Sequence, residues 1–435
     1  MRDALDRRAL LGVGAAGAAA LLAGGAGGAS GCARERDDGR TVSLWFSYGG
    51  NNRKVLLELV ERFHAAQDAI RVHAVYQGDY FEGLAKLRTA AFAGATPTVS
   101  HVVGEIVPYL VEAGALEPLD DVGADVLADL VPELSQQGSY TGGPDAVYAL
   151  PFNRSVPIAY YDADVFAAEG LVPPTTWPEL RRTAERLLRR DADGTVTRWG
   201  FECPIDWWFW NALVGQAGGA LVDADGRVDF GGEAGARALE LWQTLVHEDG
   251  TMKPPPGRDY NAWEATNTDF LGGRVALIWT STAFVRYLED NAKFQVRAAP
   301  LPAGVRQAVP TGGTMWVMPR PTPGVPVSPA RKRAGLAFLR FMLEPEQASY
   351  WATSTGYLPV SRRGLADLEA GGFFREHPNH RVAVEAVAAA RPWPWHPELF
   401  RWQREIIQPR LEDAVLRARD ARALLAEARA VVGGT

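Results

Sequence analysis

The sequence predicts an α/β protein with two domains or more, each built on a mostly parallel β-sheet flanked by helices. With 435 residues, the chain is too long for a single hydrophobic core. From Thr41 onward, apolar strand-like segments alternate with segments of helical periodicity, which is the order that parallel βαβ units require. The same alternation starts again after residue 161, so we expect a second sheet.

The composition is that of an ordinary folded protein. Hydrophobic residues make up 47% of the chain and charged residues 22%, both close to the average for globular domains. The formal net charge is −7, and the sequence contains no dense block of lysines and arginines. Nucleic acid is therefore not an expected partner.

The N-terminus indicates export. Arg7 and Arg8 precede an apolar stretch rich in Ala, Gly and Leu, which ends in small residues before Cys32. This order resembles a twin-arginine signal joined to a bacterial lipoprotein box, although Ala29 stands where leucine is usual. A membrane-spanning anchor is the alternative, and the Gly/Ala content and terminal position disfavour it. We expect lipidation at Cys32 and a location at the outer face of the cytoplasmic membrane.

Candidate elements follow one another along the chain. Strands are predicted at 42–46, 70–75, 98–103 and 270–282, and helices at 55–63, 81–92, from the Thr176–Glu179 capping box towards residue 189, at 233–248 and through 338–341. Asp191–Gly194 superficially resembles a calcium loop. It lacks the further spaced ligands of such a loop, so a solvated turn is the preferred interpretation.

The segment 149–161 is the predicted connection between domains. Pro151 and Pro157 remove donors from a strand ladder, which favours an edge or crossing strand. If the segment is extended, Asn153 and Ser155 point to one side and Arg154 to the other. Such a segment suits a connection between two lobes that also touches a ligand, and an ordinary edge strand is the alternative.

Three indoles lie within four positions, at Trp207, Trp208 and Trp210. Adjacent aromatic side chains cannot all face one interior. At least one of them is therefore expected to line a cleft or a surface.

Motifs of catalysis are missing from the sequence. It contains no G-x-S-x-G elbow, no H-E-x-x-H helix and no phosphate-binding lysine loop. The seven histidines are scattered without metal-ligand spacing, so neither a metal nor another cofactor is expected. Once the signal is removed and Cys32 is lipidated, Cys203 is left alone, which rules out an intramolecular disulfide.

Five short motifs, taken together, resemble a known family. They are Tyr76–Tyr80, Pro151–Ser155, Gly312–Gly313, Thr355–Pro359 and the region of Arg404. In this order and spacing they are similar to the extracellular solute-binding proteins of carbohydrate-type ABC importers, in the branch that binds sn-glycerol-3-phosphate and glycerophosphodiesters. A secreted hydrolase whose active site is not evident remains an alternative from another class.

The resemblance implies a two-lobe periplasmic-binding-protein-like fold of type II, with the ligand cleft at the hinge. The implied organisation is a signal at 1–32, a disordered tether at 33–40, a first lobe from 41–152 plus 307–350, and a second lobe from 153–306 plus 351–435. The implied partners are a small-molecule ligand and ABC permease subunits. Contact with the membrane would be through the lipid anchor alone, and the chain is expected to be a monomer.

The resemblance also implies the ligand residues. They are Tyr80, Ser155, Ser281, Gly313, Tyr357 and Arg404. The position of a family glutamate holds Gly104 here, so either Glu105 replaces it after a shift of one residue or the glycerol hydroxyls are held differently. Trp207 or Trp208 is expected to stack on the glycerol or to meet a choline head group through a cation–π contact. Arg154 stands where a relative has a small polar residue, and either faces away from Ser155 or makes a second phosphate contact.

The chemistry of a phosphate ester fits this set. The ester needs hydrogen-bond donors, and Arg404 offers a planar fork suited to it. Hydroxyl groups would supply neutral hydrogen bonds of about 1 kcal/mol each. If the ligand were instead a neutral oligosaccharide, Arg404 would be a structural partner in an ion pair.

Overall fold

The computed structural model describes residues 38–140, 146–223, 226–257 and 259–433. The predicted signal, Cys32 and residues 33–37 of the predicted tether lie outside these ranges. Among the helices of the described ranges, none combines the length and the apolar character needed to cross a membrane.

The strands alternate with helices along the chain, as predicted. The strands are β1 (Thr41–Phe46), β2 (Arg71–Tyr76), β3 (Val99–Val103), β4 (Ser139–Tyr140), β5 (Ala146–Val147), β6 (Leu150–Ser155), β7 (Pro157–Asp162), β8 (Arg189–Arg190), β9 (Val196–Arg198), β10 (Phe201–Glu202), β11 (Met252–Lys253), β12 (Leu277–Ser281), β13 (Val296–Ala299), β14 (Val309–Pro310), β15 (Gly312–Val317) and β16 (Ala390–Arg391).

The helices are α1 (Gly50–Ala66), α2 (Tyr80–Phe92), α3 (Val107–Glu112), α4 (Ala124–Asp129), α5 (Pro132–Ser135), α6 (Ala163–Ala168), α7 (Trp177–Leu187), α8 (Trp207–Gln216), α9 (Gly232–Gln243), α10 (Asp259–Leu271), α11 (Val285–Asn291), α12 (Pro329–Met342), α13 (Pro345–Thr355), α14 (Arg362–Ala370), α15 (Phe373–Glu376), α16 (Pro378–Glu385), α17 (Leu399–Arg401), α18 (Gln408–Arg417) and α19 (Ala421–Gly433).

Two five-stranded sheets have the same pattern of strand directions. The first has the order β2-β1-β3-β15-β6 and the second β11-β10-β12-β7-β13. In each sheet the first three strands are parallel, the fourth is antiparallel to both of its neighbours, and the fifth runs with the first three. The prediction of two mostly parallel sheets flanked by helices is confirmed, with one reversed strand in each.

The segment 149–161 passes from one sheet to the other. Strand β6 is at the edge of the first sheet and β7 is inside the second, with Val156 between them. Pro151 is on the edge strand and Pro157 is the first residue of β7, two positions where a missing N–H is tolerated. The predicted lobe boundary between residues 152 and 153 falls inside β6, because the ladder of β6 with β15 continues to Ser155.

The predicted boundary between residues 350 and 351 also falls inside a segment that packs on the first sheet. The Trp351 ring stacks on Phe152 at a centroid distance of 4.5 Å, and the Leu358 backbone N–H donates to the Arg154 carbonyl at 2.9 Å. Only later does the chain meet the second sheet again, where Asn379 Oδ1 accepts from the Ala298 backbone N–H at 2.8 Å.

Two element predictions were wrong in their bounds. Residues 270–282 were predicted as one strand, but Phe270 belongs to the end of α10 and the strand covers 277–281. The turn at Gly272–Gly273 separates them, and Gly273 has a φ of 69° that favours glycine. Helix 233–248 ends as an α-helix at Gln243 and continues as a π-turn over Thr244–Glu248.

Candidate ligand-binding site

Tyr80 begins α2 at the carboxyl ends of the first three strands of the first sheet. Asp79 caps this helix, because its Oδ1 accepts from the backbone N–H groups of Phe81 and Glu82 at 2.8 Å each. The Glu82 carboxylate accepts in turn from the Asp79 backbone N–H at 3.3 Å, which completes a capping box. The cap fixes the direction in which Tyr80 leaves the helix.

The structure brings Tyr80 and Tyr357 together. Their hydroxyl oxygens are 3.4 Å apart, and Asn153 Nδ2 donates to the Tyr80 hydroxyl at 2.9 Å. Tyr357 stacks on Trp351 with a centroid distance of 5.9 Å. Burial raises the pKa of the Tyr357 hydroxyl, so this phenol is neutral at physiological pH. Tyr80 and Tyr357, which come from motifs distant in sequence, therefore lie in contact.

A buried polar network holds Asn153, which donates to Tyr80. Asn153 Oδ1 accepts from the Thr314 backbone N–H at 2.7 Å and also from the Thr314 hydroxyl. Thr314 Oγ1 is 2.7 Å from His101 Nδ1, and His101 Nε2 accepts from the Ser47 backbone N–H at 2.8 Å. Sequence reasoning missed His101 and Thr314, since no local motif marks residues that meet only through strand pairing.

Ser155 and Gly313 lie where the first sheet meets the second lobe. Ser155 pairs with Gly312 and is buried. Gly313 has a φ of 87°, and a Cβ there would stand 1.8 Å from the Asn153 carbonyl oxygen, so only glycine fits. Its carbonyl accepts from Arg154 Nη1 at 3.2 Å. The close approach of the two strands accounts for this glycine.

Glu105 and Arg154 lie on the buried side of the same junction. Arg154 donates to the Leu134 carbonyl at 3.1 Å and to Gln137 Oε1, and it has no exposed surface. Burial lowers the pKa of Arg154 to about 10, against the opposing charge of Glu105. Burial likewise raises the pKa of Glu105 to about 7, although Arg154 favours its charged form. Arg154 thus has its partners inside the protein and faces away from Asn153.

The tryptophans of α8 have separate environments. Trp208 packs over Gly312, where a Cβ would stand 2.7 Å from the indole, and its Nε1 donates to the Thr311 carbonyl at 3.2 Å. Trp207 is half-buried and meets Trp393 edge to face at 5.4 Å. Trp210 is buried and donates to the Gly235 carbonyl at 3.2 Å. Of these three tryptophans, Trp208 is the one that contacts Thr311 and Gly312.

Further rings extend from Trp208 along the second lobe. Trp263 lies 5.3 Å from Trp208, and Phe284 lies 6.2 Å from Trp263. Both are half-buried. Sequence reasoning did not select them, because single aromatics on a helix and a turn have no distinguishing pattern.

Ser281 ends β12 close to the crossing point. Its Oγ accepts from the Ala283 backbone N–H at 3.1 Å and caps a short turn. The next residue, Thr282, accepts from the Val156 backbone N–H at 3.2 Å. Ser281 therefore lies beside the connection between the lobes, with its hydroxyl already in one hydrogen bond.

Arg404 reaches the first lobe from a π-turn near the end of the chain. Its guanidinium carbon lies 3.7 Å from the centroid of the Phe81 ring, the neighbour of Tyr80 on α2. Phe400 contacts the same ring at 6.2 Å. The side chain is partly exposed, and it brings a cation to this junction.

Comparisons with known proteins agree with this architecture. Residues 58–371 match a family described as bacterial extracellular solute-binding protein. The sn-glycerol-3-phosphate-binding periplasmic protein UgpB of Pectobacterium atrosepticum is 24% identical over 374 residues, which cover 81% of each chain.

Solved structures are similar in fold. UgpB from Mycobacterium tuberculosis in complex with glycerophosphocholine has a TM-score of 0.78 and 24% identity, with coverage of 90% of this chain and 97% of that one. The GacH receptor of Streptomyces glaucescens, described unliganded and with acarbose, has a TM-score of 0.77 and 21% identity, with coverage of 90% and 97%.

Proposed function

This chain belongs to the family of bacterial extracellular solute-binding proteins, and on that premise we propose that it binds sn-glycerol-3-phosphate or a glycerophosphodiester such as glycerophosphocholine. It is a solute-binding protein of an ABC importer and not an enzyme, so the hydrolase alternative from the sequence is set aside. Its partners are a small-molecule ligand and the permease subunits expected for this family.

The position of Arg404 carries the proposal for the ligand. A phosphate ester leaves water only if a cation and several donors replace its hydration. Arg404 lies over Phe81, the residue that follows Tyr80 on α2, and the Tyr80 hydroxyl is close to that of Tyr357. An anion held by these three side chains would touch both lobes, so binding would favour the closed state about the connection at Val156.

The remaining predicted residues would complete the site. Ser155, Ser281 and the Gly313 backbone would add neutral contacts, Trp208 and Trp207 an aromatic surface, and Glu105 a carboxylate for glycerol hydroxyls. A net gain of about 1 kcal/mol for each neutral hydrogen bond and about 1.5–3 kcal/mol for a charged one is enough for micromolar binding, which is about 8 kcal/mol.

Calorimetry on Arg404 variants tests the proposal. Arg404→Ala is expected to weaken binding of sn-glycerol-3-phosphate and glycerophosphocholine by about 3 kcal/mol or more. Arg404→Lys should recover only part of that loss, since an ammonium keeps the charge without the fork. Affinity like that of the wild type in Arg404→Ala would contradict the anion site.

A neutral oligosaccharide is the second candidate ligand. The ring series Trp208, Trp263 and Phe284 is the observation that favours it, since sugars pack their apolar faces on aromatic rings. A thermal-shift panel of sn-glycerol-3-phosphate, glycerophosphocholine, trehalose and maltose separates the two candidates. Stabilisation by trehalose or maltose alone would select the sugar.

We also propose that the exported chain is anchored by lipid at Cys32 and functions as a monomer. The twin arginine and the small residues before Cys32 support the anchor. Intact-mass analysis of the native protein should find diacylglycerol on an N-terminal cysteine, and a chain that keeps Met1 would contradict it.

A further inference from the structure

The hydrogen bonds that link Ser47, His101, Thr314, Asn153 and Tyr80 include two from backbone N–H groups. These two bonds fix which atom donates and which accepts. A backbone N–H can only donate. The Ser47 N–H therefore makes His101 Nε2 an acceptor, and the Thr314 N–H makes the amide oxygen of Asn153 an acceptor. Neither assignment depends on a choice of histidine tautomer or amide orientation.

The first fixed group determines the state of His101. An imidazole whose Nε2 accepts must carry its proton on Nδ1, and a doubly protonated ring would set two donors against each other. Burial also lowers the pKa of His101 to about 3, so the ring is neutral. Its Nδ1–H then donates to Thr314 Oγ1 at 2.7 Å or to the Tyr48 hydroxyl at 2.9 Å.

The second fixed group determines the state of Asn153. With its oxygen held by the Thr314 N–H and hydroxyl, the amide can turn only its NH₂ group towards Tyr80, at 2.9 Å. The Tyr80 oxygen accepts that bond, so the phenol directs its own proton elsewhere. The Tyr357 hydroxyl, 3.4 Å away, lies on that side.

We propose that the chain Ser47–His101–Thr314–Asn153 holds Tyr80 as a hydrogen-bond donor to the ligand, and that Asn153 and His101 are thereby specificity-determining positioning residues. Three bonds of the chain have a fixed direction, because the Ser47 N–H donates to His101, the Thr314 N–H donates to Asn153 and the Asn153 NH₂ group donates to Tyr80. A ligand atom that takes the Tyr80 proton in place of Tyr357 must be an acceptor, such as an ester or phosphate oxygen. This inference rests on the proposed function for the identity of the ligand, and on the hydrogen bonds alone for the direction.

The direction can be measured without any ligand. In protein labelled with ¹⁵N in the histidine rings, the signals that disappear in His101→Gln, or in His101→Asn if the first variant does not fold, belong to His101. They should show the Nδ1–H tautomer and no titration between pH 5 and pH 8. An Nε2–H tautomer, or titration in that interval, would overturn the proposal.

The effect on binding is tested by Asn153→Asp. A carboxylate still accepts from Thr314 but cannot donate to Tyr80, so the Tyr80 proton turns to residue 153 and away from the ligand. Affinity for sn-glycerol-3-phosphate is expected to fall at least about tenfold. Calorimetry measures this loss, and a melting temperature near that of the wild type shows that the fold is kept.

A double-mutant cycle separates this effect from the added negative charge. If Asn153→Asp acts through the Tyr80 proton, it should cost little further affinity once Tyr80→Phe has removed that proton. An equal loss in both backgrounds means charge repulsion and overturns the proposal. If the wild type binds no phosphate ester, the proposed ligand fails, and the histidine tautomer still decides the direction of the chain.

Discussion

The sheets of the two lobes have the same pattern of strand directions, but the side chains beside them differ in chemistry. At the carboxyl end of the first sheet, His101, Asn153 and Thr314 satisfy one another by hydrogen bonds. In the second lobe, Trp208, Phe209 and Trp263 approach within 5.0–5.4 Å of one another. Polar groups that hold each other have fixed directions, whereas rings provide shape without direction. We infer that the polar network of the first lobe orients the ligand, whereas the second lobe supplies the charge of Arg404 and the contact area of the rings.

The largest effect is expected from an arginine of the first lobe. Arg154→Ala removes hydrogen bonds to the Leu134 and Gly313 carbonyls and leaves Glu105 without the nearby guanidinium. We expect the free energy of unfolding in urea to fall by about 3 kcal/mol or more.

The matched control is Arg404→Ala in the second lobe. That side chain is partly exposed and lies over Phe81, so its removal should cost less stability than the removal of the fully buried Arg154. Equal losses in the two variants would break the distinction between a structural arginine and a ligand arginine.

A medium effect is expected from the buried acid of the second sheet. Glu202 is the last residue of β10, and its Oε2 lies 3.9 Å from Lys253 Nζ. Burial raises the pKa of Glu202 to about 7. Because the folded protein favours the protonated carboxyl, the stability that Glu202 contributes is fully present below pH 4.5, the pKa of the unfolded chain. That stability is lost as the pH rises through about 7, the pKa of the folded protein. Glutamine cannot ionise, so Glu202→Gln should lose less stability than the wild type between pH 4 and pH 8. The expected difference between the two proteins is about 3 kcal/mol in unfolding free energy.

Denaturant titrations at several pH values measure this narrowing. Glu105→Gln should show the same trend, since burial raises the pKa of Glu105 to about 7 as well. Only Glu105→Gln should also change ligand affinity. Parallel pH profiles for the wild type and Glu202→Gln would contradict the prediction.

The smallest effect is expected in fluorescence. Trp208 contacts Thr311 and Gly312 at the junction of the lobes, whereas Trp210 is buried against Gly235. Ligand should change tryptophan emission in the wild type. Trp210→Phe should keep that change and Trp208→Phe should reduce it, as measured by titration with sn-glycerol-3-phosphate. The opposite pattern would assign the second-lobe surface to another ring.

The sequence predicted well what neighbouring residues decide. The helix cap at Thr176 and the edge position of the proline-containing strand depend on local backbone chemistry. No local motif marks His101 or Thr314. Their roles arise from the pairing of β3 with β15, which lie more than 200 positions apart in the sequence. Local sequence also carries no signal for the contacts of Ser155 with Gly312 and of Leu358 with Arg154, because these partners are distant along the chain or meet only in the fold.

The two sheets also differ in how their strands are distributed along the chain. The strands of the second sheet all lie between Pro157 and Ala299, whereas the first sheet needs β15 at 312–317 to join β3 to β6. Contacts between distant segments form slowly, because long loops must close first. A ribosome that has released residue 299 has released every strand of the second sheet, but the first still has a gap at its centre. We therefore expect the second lobe to fold first during synthesis, while the strands of the first remain substrates for chaperones until the last third of the chain emerges.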